Sequence, residues 1–146
     1  MHNIASTILV VDDDEGHREL VRRNLKRSGV VNPVVCLPNG DEALDYIFFR
    51  GAYAGRPEAE LLMLLDVNMP GTNGVEVLRQ IKEDPRGHKI PIIMLTTTDD
   101  PREVKVCYDL GCSVYVTKPV DPSEFIEAVK RIGMFLTIVR LPEVNQ

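Results

Sequence analysis

Cysteine is scarce in this chain of 146 residues, histidine equally so, and positive charge has no surplus. Cys36, Cys107 and Cys112 form neither an even disulfide framework nor a zinc-binding spacing. They read as free thiols that fill small apolar gaps rather than react. His2, His17 and His88 lie far apart among polar neighbours and read as surface residues, not as ligands or bases. Against 17 Lys and Arg stand 22 Asp and Glu, for a net charge of −5. The basic residues are scattered, which leaves no electrostatic footprint for nucleic acid. The longest apolar run, residues 61–65, is far too short to span a membrane. The first seven residues lack the basic flank and apolar stretch of a signal peptide. No repeat or low-complexity tract occurs. These absences lead to the expectation of a soluble cytoplasmic domain that binds neither nucleic acid nor membrane.

What is present suffices for one core. Apolar residues make up 44% of the chain, and a chain of this length buries roughly two-thirds of its unfolded surface on folding. Five short apolar runs, at 8–11, 34–37, 61–65, 92–95 and 114–116, are rich in β-branched residues and nearly continuous. That pattern suits strands buried on both faces of a parallel sheet. Helical patterns fill the gaps: His17, Leu20, Val21, Asn24, Leu25 and Ser28 mark one face of the first, Ala43, Leu44 and Ile47 the second, Val75, Leu78 and Ile81 the third. Asp100-Pro101 and Asp121-Pro122 each place a capping carboxylate before a proline at the first helical position, with Glu103 and Glu124 three residues after the cap. Asn73 with Glu76 repeats the cap, and Gly29 and Gly111 suit helix stops. Strict alternation predicts an α/β fold, a doubly wound (βα)5 five-stranded parallel sheet of order 2-1-3-4-5 and flavodoxin-like type.

In such a sheet chemistry gathers at the carboxyl ends of the strands, where strand order reverses. Asp12, Asp13 and Asp14 follow the first run and Asp66 the third. Thr96 follows the fourth, and Thr117, Lys118 and Pro119 follow the fifth. Facing carboxylates repel unless a cation neutralises them, and magnesium suits because it takes one or two carboxylates, keeps waters and welcomes a phosphoryl oxygen. A carboxylate can attack phosphorus to give an aspartyl-phosphate. Lys118 and the Thr96 hydroxyl would then stabilise the oxygens of the transferred group. Each residue alone has a bland explanation as a turn, a strand terminus or a solvated charge. Their convergence on one rim does not.

The runs Ile8-Leu9-Val10-Val11-Asp12-Asp13, Leu64-Leu65-Asp66-Val67-Asn68-Met69-Pro70-Gly71, Met94-Leu95-Thr96 and Tyr115-Val116-Thr117-Lys118-Pro119 resemble the receiver domain of two-component response regulators. The resemblance covers roughly residues 7–132. It implies that Asp66 is the phosphoacceptor, with Asp12, Thr96 and Lys118 assisting the transfer. It implies a magnesium ion held by Asp13 and Asp66 directly, by the Asn68 backbone carbonyl, and by Asp12 through water. Thr96 and Tyr115 match the switching hydroxyl and aromatic, and Asn68 and Thr98 the positions that tune phosphoryl lifetime. A cis Lys118–Pro119 peptide is also implied. Such a protein is no enzyme beyond self-catalysed phosphoryl transfer and autodephosphorylation.

The long connection around residues 48–57 and the apolar stretch 135–142 resemble single-domain response regulators that partner phytochrome histidine kinases. The expectation is therefore a stand-alone regulator, phosphorylated by a histidine kinase of phytochrome type and acting on a downstream protein of unknown identity. An intermediate in a multi-step phosphorelay is the alternative. Residues 1–132 would form the receiver and 133–146 an apolar arm, extended if its β-branched residues decide, that supports a homodimer. A haloacid-dehalogenase-type phosphatase also uses an aspartyl nucleophile, magnesium, a hydroxyl and a lysine. However, Glu15-Gly16 departs from its motif, no late acidic pair follows Lys118, and a substrate cap has no room. A flavin binder would need a phosphate cradle where this chain has carboxylates, and an appended DNA-binding domain has no residues left to form it.

Overall fold

The computed structural model describes residues 6–138, and side chains of residues 6–136. Five strands, β1 (Thr7–Val11), β2 (Val34–Leu37), β3 (Leu61–Leu65), β4 (Ile92–Thr96) and β5 (Val114–Thr117), alternate with helices α1 (Glu15–Arg27), α2 (Gly40–Ile47), α3 (Gly74–Glu83), α4 (Pro101–Leu110) and α5 (Pro122–Ile138). All strands pair in parallel in the order β2-β1-β3-β4-β5. The expected topology holds, and the apolar runs coincide with the strands to within one residue at either end.

The sheet has a core on each face, as its continuous apolar strands require. Alternate residues Leu9, Val11, Met63, Leu65, Ile92 and Met94 pack beneath α2, α3 and α4, where Leu44, Ile47, Leu78, Ile81 and Cys107 meet them. Ile8, Val10, Leu62, Leu64, Ile93 and Leu95 face α1 and α5, against Val21, Leu25, Phe125 and Val129. Each such side chain removed from water contributes roughly 1.5–3 kcal/mol before entropy is set against it. Cys107 and Cys112 are buried within the first cluster, and burial pushes the Cys107 thiol up to about 11, so it is inert at neutral pH.

The helix ends follow the capping chemistry. Asn73 accepts from the Glu76 amide, Asp100 from Arg102, and Asp121 from both Ser123 and Glu124. Gly111 ends α4 with φ 111°, and Gly29, just past α1, has φ 98°. Two further caps were not anticipated: Asp14, grouped in sequence with the rim acids, accepts from the His17 amide at 3.0 Å, and Asn39 accepts from Glu42. Val77 joins the buried face of α3 in place of the half-buried Val75.

Two expectations need correction. The described residues contain no cis peptide, so Lys118–Pro119 is trans, the form that X-Pro amides favour modestly on their own. Residues 133–138 are not extended: α5 passes through Gly133 unbroken, with Ile132 and Leu136 packed against the core on either side of it, and strand preference is weak beside such context. Gly133 lies within α5 as a contact residue. A Cβ there would lie 2.7 Å from Ser28 Cβ, so the missing side chain lets α5 close on α1, where Ser28 Oγ also donates to the Lys130 carbonyl at 3.3 Å. Leu136 packs partly into the core, while Met134 and Phe135 are exposed. Val139 and Leu141 lie outside the described residues.

The connection from α2 to β3 is braced by its own side chains. The Arg56 guanidinium lies 3.8 Å from the Phe49 ring centroid and 4.3 Å from that of Tyr46, and its Nε donates to the Tyr46 carbonyl at 2.7 Å. On the far edge of the sheet, the Tyr115 amide of β5 donates to the Tyr108 hydroxyl of α4 at 3.0 Å.

Candidate functional site

Strand order reverses between β1 and β3, and the site is built there. The ladder continues one residue beyond each strand: Asp12 N donates to the Leu37 carbonyl at 3.2 Å, and Asp66 N to the Val11 carbonyl at 3.0 Å. These bonds fix the two aspartates on adjacent central strands with side chains at the same rim. The carbonyl side of Asp66 is held by α3, whose first residue, Gly74, comes so close that a Cβ would lie 2.1 Å from the Asp66 oxygen. No other residue permits that approach.

Carboxylate oxygens of Asp12, Asp13 and Asp66 lie within 4.8 Å of one another. Asp12 and Asp66 are buried and Asp13 is exposed. Lys118, 4% exposed, reaches in from the end of β5. Its Nζ is 2.6 Å from Asp12 Oδ2 and 3.4 Å from Asp66 Oδ2, and its amide donates to the Thr96 carbonyl at 2.6 Å. Three carboxylates and one ammonium leave two negative charges uncompensated. A dicarboxylate pocket with an open, solvated side is the oxygen donor set that magnesium or manganese takes, with places left for water and for a phosphoryl oxygen.

A hydroxyl network borders this pocket. Thr96 is fully buried, and its Oγ1 accepts from the Thr98 amide at 3.5 Å. The Thr98 hydroxyl accepts from Asn68 Nδ2 at 2.7 Å, and the Thr98 carbonyl accepts from the Tyr115 hydroxyl at 2.7 Å. Thr98 thus joins the loop after Asp66 to the aromatic side chain on β5. Burial pushes the Tyr115 hydroxyl up to about 12, with Glu103 adding to the effect, so it remains a donor throughout the physiological range.

All the residues singled out in sequence, Asp12, Asp13, Asp66, Asn68, Thr96, Tyr115 and Lys118, border this one rim. Asp14 does not join the carboxylate cluster; it caps α1. One residue was misjudged. His17 is no detached surface group: its Nδ1 lies 3.1 Å from Lys118 Nζ. The signal was available. With Asp14 as cap, His17 is the third helical residue, and helical side chains tilt back towards the N-terminus, here over the rim.

A doubly wound five-stranded sheet with paired aspartates after β1, an aspartate after β3, a hydroxyl after β4 and a lysine after β5 defines a class. The chain belongs to the response regulator receiver domain family, whose model matches residues 8–130. Within it, the chain is 33% identical over 141 residues to response regulator Rcp1 of Synechocystis, covering 96% of this chain and 95% of that protein. It superposes on the phosphorylated cyanobacterial phytochrome response regulator RcpA with a TM-score of 0.88 at 34% identity, covering 96% of this chain and all of the other. A response regulator receiver domain from Rhodospirillum rubrum gives 0.86 at 40% identity, covering 94% and 97% of the two chains. Rcp1 has also been crystallised in a manganese-bound form. This membership leaves the phosphatase alternative without support. Among the described residues no helix is long and apolar enough to cross a membrane.

Proposed function

We propose that this protein is a phytochrome-type response regulator that accepts a phosphoryl group on Asp66. The observation that carries the reading is the Asp66 carboxylate at the switch point, with the Lys118 ammonium 3.4 Å away and Asp12 and Asp13 within metal-sharing distance. An Asp66 oxygen forms the new P–O bond as the P–N bond of a kinase phosphohistidine breaks, and the electron pair returns to the imidazole nitrogen. Lys118 donates to the phosphoryl oxygens as negative charge gathers on them, and Thr96 supplies a hydroxyl on the β4 side. Magnesium, held by Asp13, Asp66 and the Asn68 carbonyl with Asp12 acting through water, would offset the charge between donor and acceptor. In autodephosphorylation a water oxygen forms a bond to phosphorus as the bond from phosphorus to the Asp66 oxygen breaks, which returns the carboxylate and releases inorganic phosphate, with the same groups offsetting the charge.

Arrival of the phosphoryl group adds charge and acceptor oxygens beside Thr96 and Lys118. Movement of Thr96 would pull on Thr98 and so release or recapture the Tyr115 hydroxyl, which changes the surface formed by α4, β5 and α5. The kinase partner is of phytochrome type, a reading supported by the near-complete coverage of the phytochrome response regulator RcpA. It operates in the cytoplasm, where the three free thiols remain reduced. With magnesium and a phosphodonor, the protein should gain one acid-labile phosphoryl group, and Asp66→Asn should gain none. Equal labelling of the two proteins refutes the assignment.

The exposed Met134 and Phe135 at the end of α5 support a homodimer that uses residues 133–146. Deleting those residues should shift the protein towards monomer in sedimentation at tens of micromolar. A monomeric full-length protein, with and without phosphoryl group, rules the dimer out.

A further inference from the structure

We propose that His17 is a positioning residue for phosphoryl transfer: it accepts one ammonium proton of Lys118 and so keeps another aimed at Asp66. The inference rests on the phosphoacceptor reading of Asp66. An ammonium has three donors and no acceptor, and Lys118 Nζ has three partners, Asp12 Oδ2 at 2.6 Å, His17 Nδ1 at 3.1 Å and Asp66 Oδ2 at 3.4 Å. Since lysine can only donate, Nδ1 takes part through its lone pair, which places the imidazole proton on Nε2. That nitrogen faces Asp14 Oδ2 at 3.9 Å, while Nδ1 also lies 3.7 Å from Asp12 Oδ2, so the ammonium stands between the imidazole and that carboxylate.

The imidazole is itself held. It packs at 5.3 Å between centroids, tilted by 56°, against Phe125 of α5, whose ring is buried and lies 5.7 Å from the same ammonium. A lysine stem is long and flexible, and its shortest contact here is to Asp12. Without a third acceptor, rotation about the last bond would leave the longer contact, that to Asp66, undirected. The phosphoryl oxygens that gather charge during transfer lie beside Asp66. A carboxylate at position 17 would hold the ammonium more strongly but would repel the incoming phosphoryl group. An imidazole nitrogen offers a lone pair without a carboxylate's charge.

The test compares the full chain with Asp66→Asn, His17→Ala and His17→Asn, using acetyl phosphate at saturating magnesium, with maximal rate and half-saturating donor concentration measured separately. Asparagine places a neutral acceptor oxygen close to where Nδ1 stood. Losing one hydrogen bond to a charged donor should lower the maximal rate of His17→Ala about tenfold, and His17→Asn should recover most of that loss. Half-saturation should stay unchanged, and the Lys118 Nζ resonance should shift in the alanine variant and return in the asparagine variant. An unchanged maximal rate in His17→Ala overturns the proposal. So does an asparagine variant no better than alanine, or an effect confined to half-saturation, which would mark a donor contact instead. Absence of labelling in the unaltered protein would refute the Asp66 reading rather than this one.

Discussion

The middle of the sheet and its β5 edge are made of similar residues but differ in exposure. Every residue of β1, β3 and β4 is buried, whereas β5 has exposed ends and half-buried Tyr115 and Val116 between them. Charge sits where packing is tightest. Asp12 and Asp66 extend central strands and are fixed by ladder bonds, so their carboxylates cannot withdraw from one another. Tyr115 sits on the more open edge strand, its ring packed partly against the core and its hydroxyl held by one hydrogen bond to Thr98. On the proposed reading, the chemistry falls on the part that cannot yield and the response on the part that can. A residue at the centre should act mainly through stability and metal dependence, and a residue at the edge mainly through local ordering.

The largest effect should come from Gly74→Ala at the centre. Its new Cβ would collide with the Asp66 carbonyl, and neither backbone can move without disturbing β3 or α3. We expect a loss of roughly 4 kcal/mol in urea unfolding, among the larger effects of single substitutions. A loss below about 1 kcal/mol, the ordinary cost of a substitution, would show that the centre is not rigid in this sense.

Lys118→Ala comes next. It leaves Asp12 and Asp66 buried without their ammonium, at a cost of roughly 3 kcal/mol in metal-free buffer. Because the loss is one of charge compensation, millimolar magnesium should restore more stability to this variant than it adds to the unaltered protein. Equal magnesium stabilisation of the two would contradict a shared carboxylate site.

Tyr115→Phe should cost only about 1 kcal/mol, one hydrogen bond at a half-buried site. Its pH signature is more telling. Burial raises the folded hydroxyl from 10.0 to about 12, so between those values the unfolded chain loses its proton while the folded one keeps it. Stability should therefore fall as pH rises from 10 to 12, and the decline should be shallower in the phenylalanine variant. Parallel declines measured by denaturant unfolding would mean that the edge tyrosine is not held as described.

The strands, their order and the acidic rim were legible because each is encoded locally: continuous apolar runs, a polar residue after four of the five, and a topology with few right-handed solutions. Contacts between elements were not. His17 depends on where α1 begins, which Asp14 decides by acting as a cap rather than as a rim acid. The contact of Gly133 with Ser28 of α1 joins residues far apart in the chain. Thr98 carries no sequence signal for its bonds to Asn68 and Tyr115, since those partners are 30 and 17 residues away. The Arg56 stack likewise arises from a fold-back of the chain that composition does not record.

The Tyr108 hydroxyl over the Tyr115 amide has a bearing on self-assembly. The outer edge of a sheet carries unpaired amides and carbonyls and invites strand addition by a second chain, which is the start of fibre growth. Here the outer strand has four residues, and an amide on it is already occupied by a side chain from its own helix. Copies that meet along this side, where Val106, Tyr108 and Val114 are exposed, find side chains rather than a backbone template. The side-chain cap thus makes this edge a poorer template for a continuous sheet even though apolar side chains are exposed beside it.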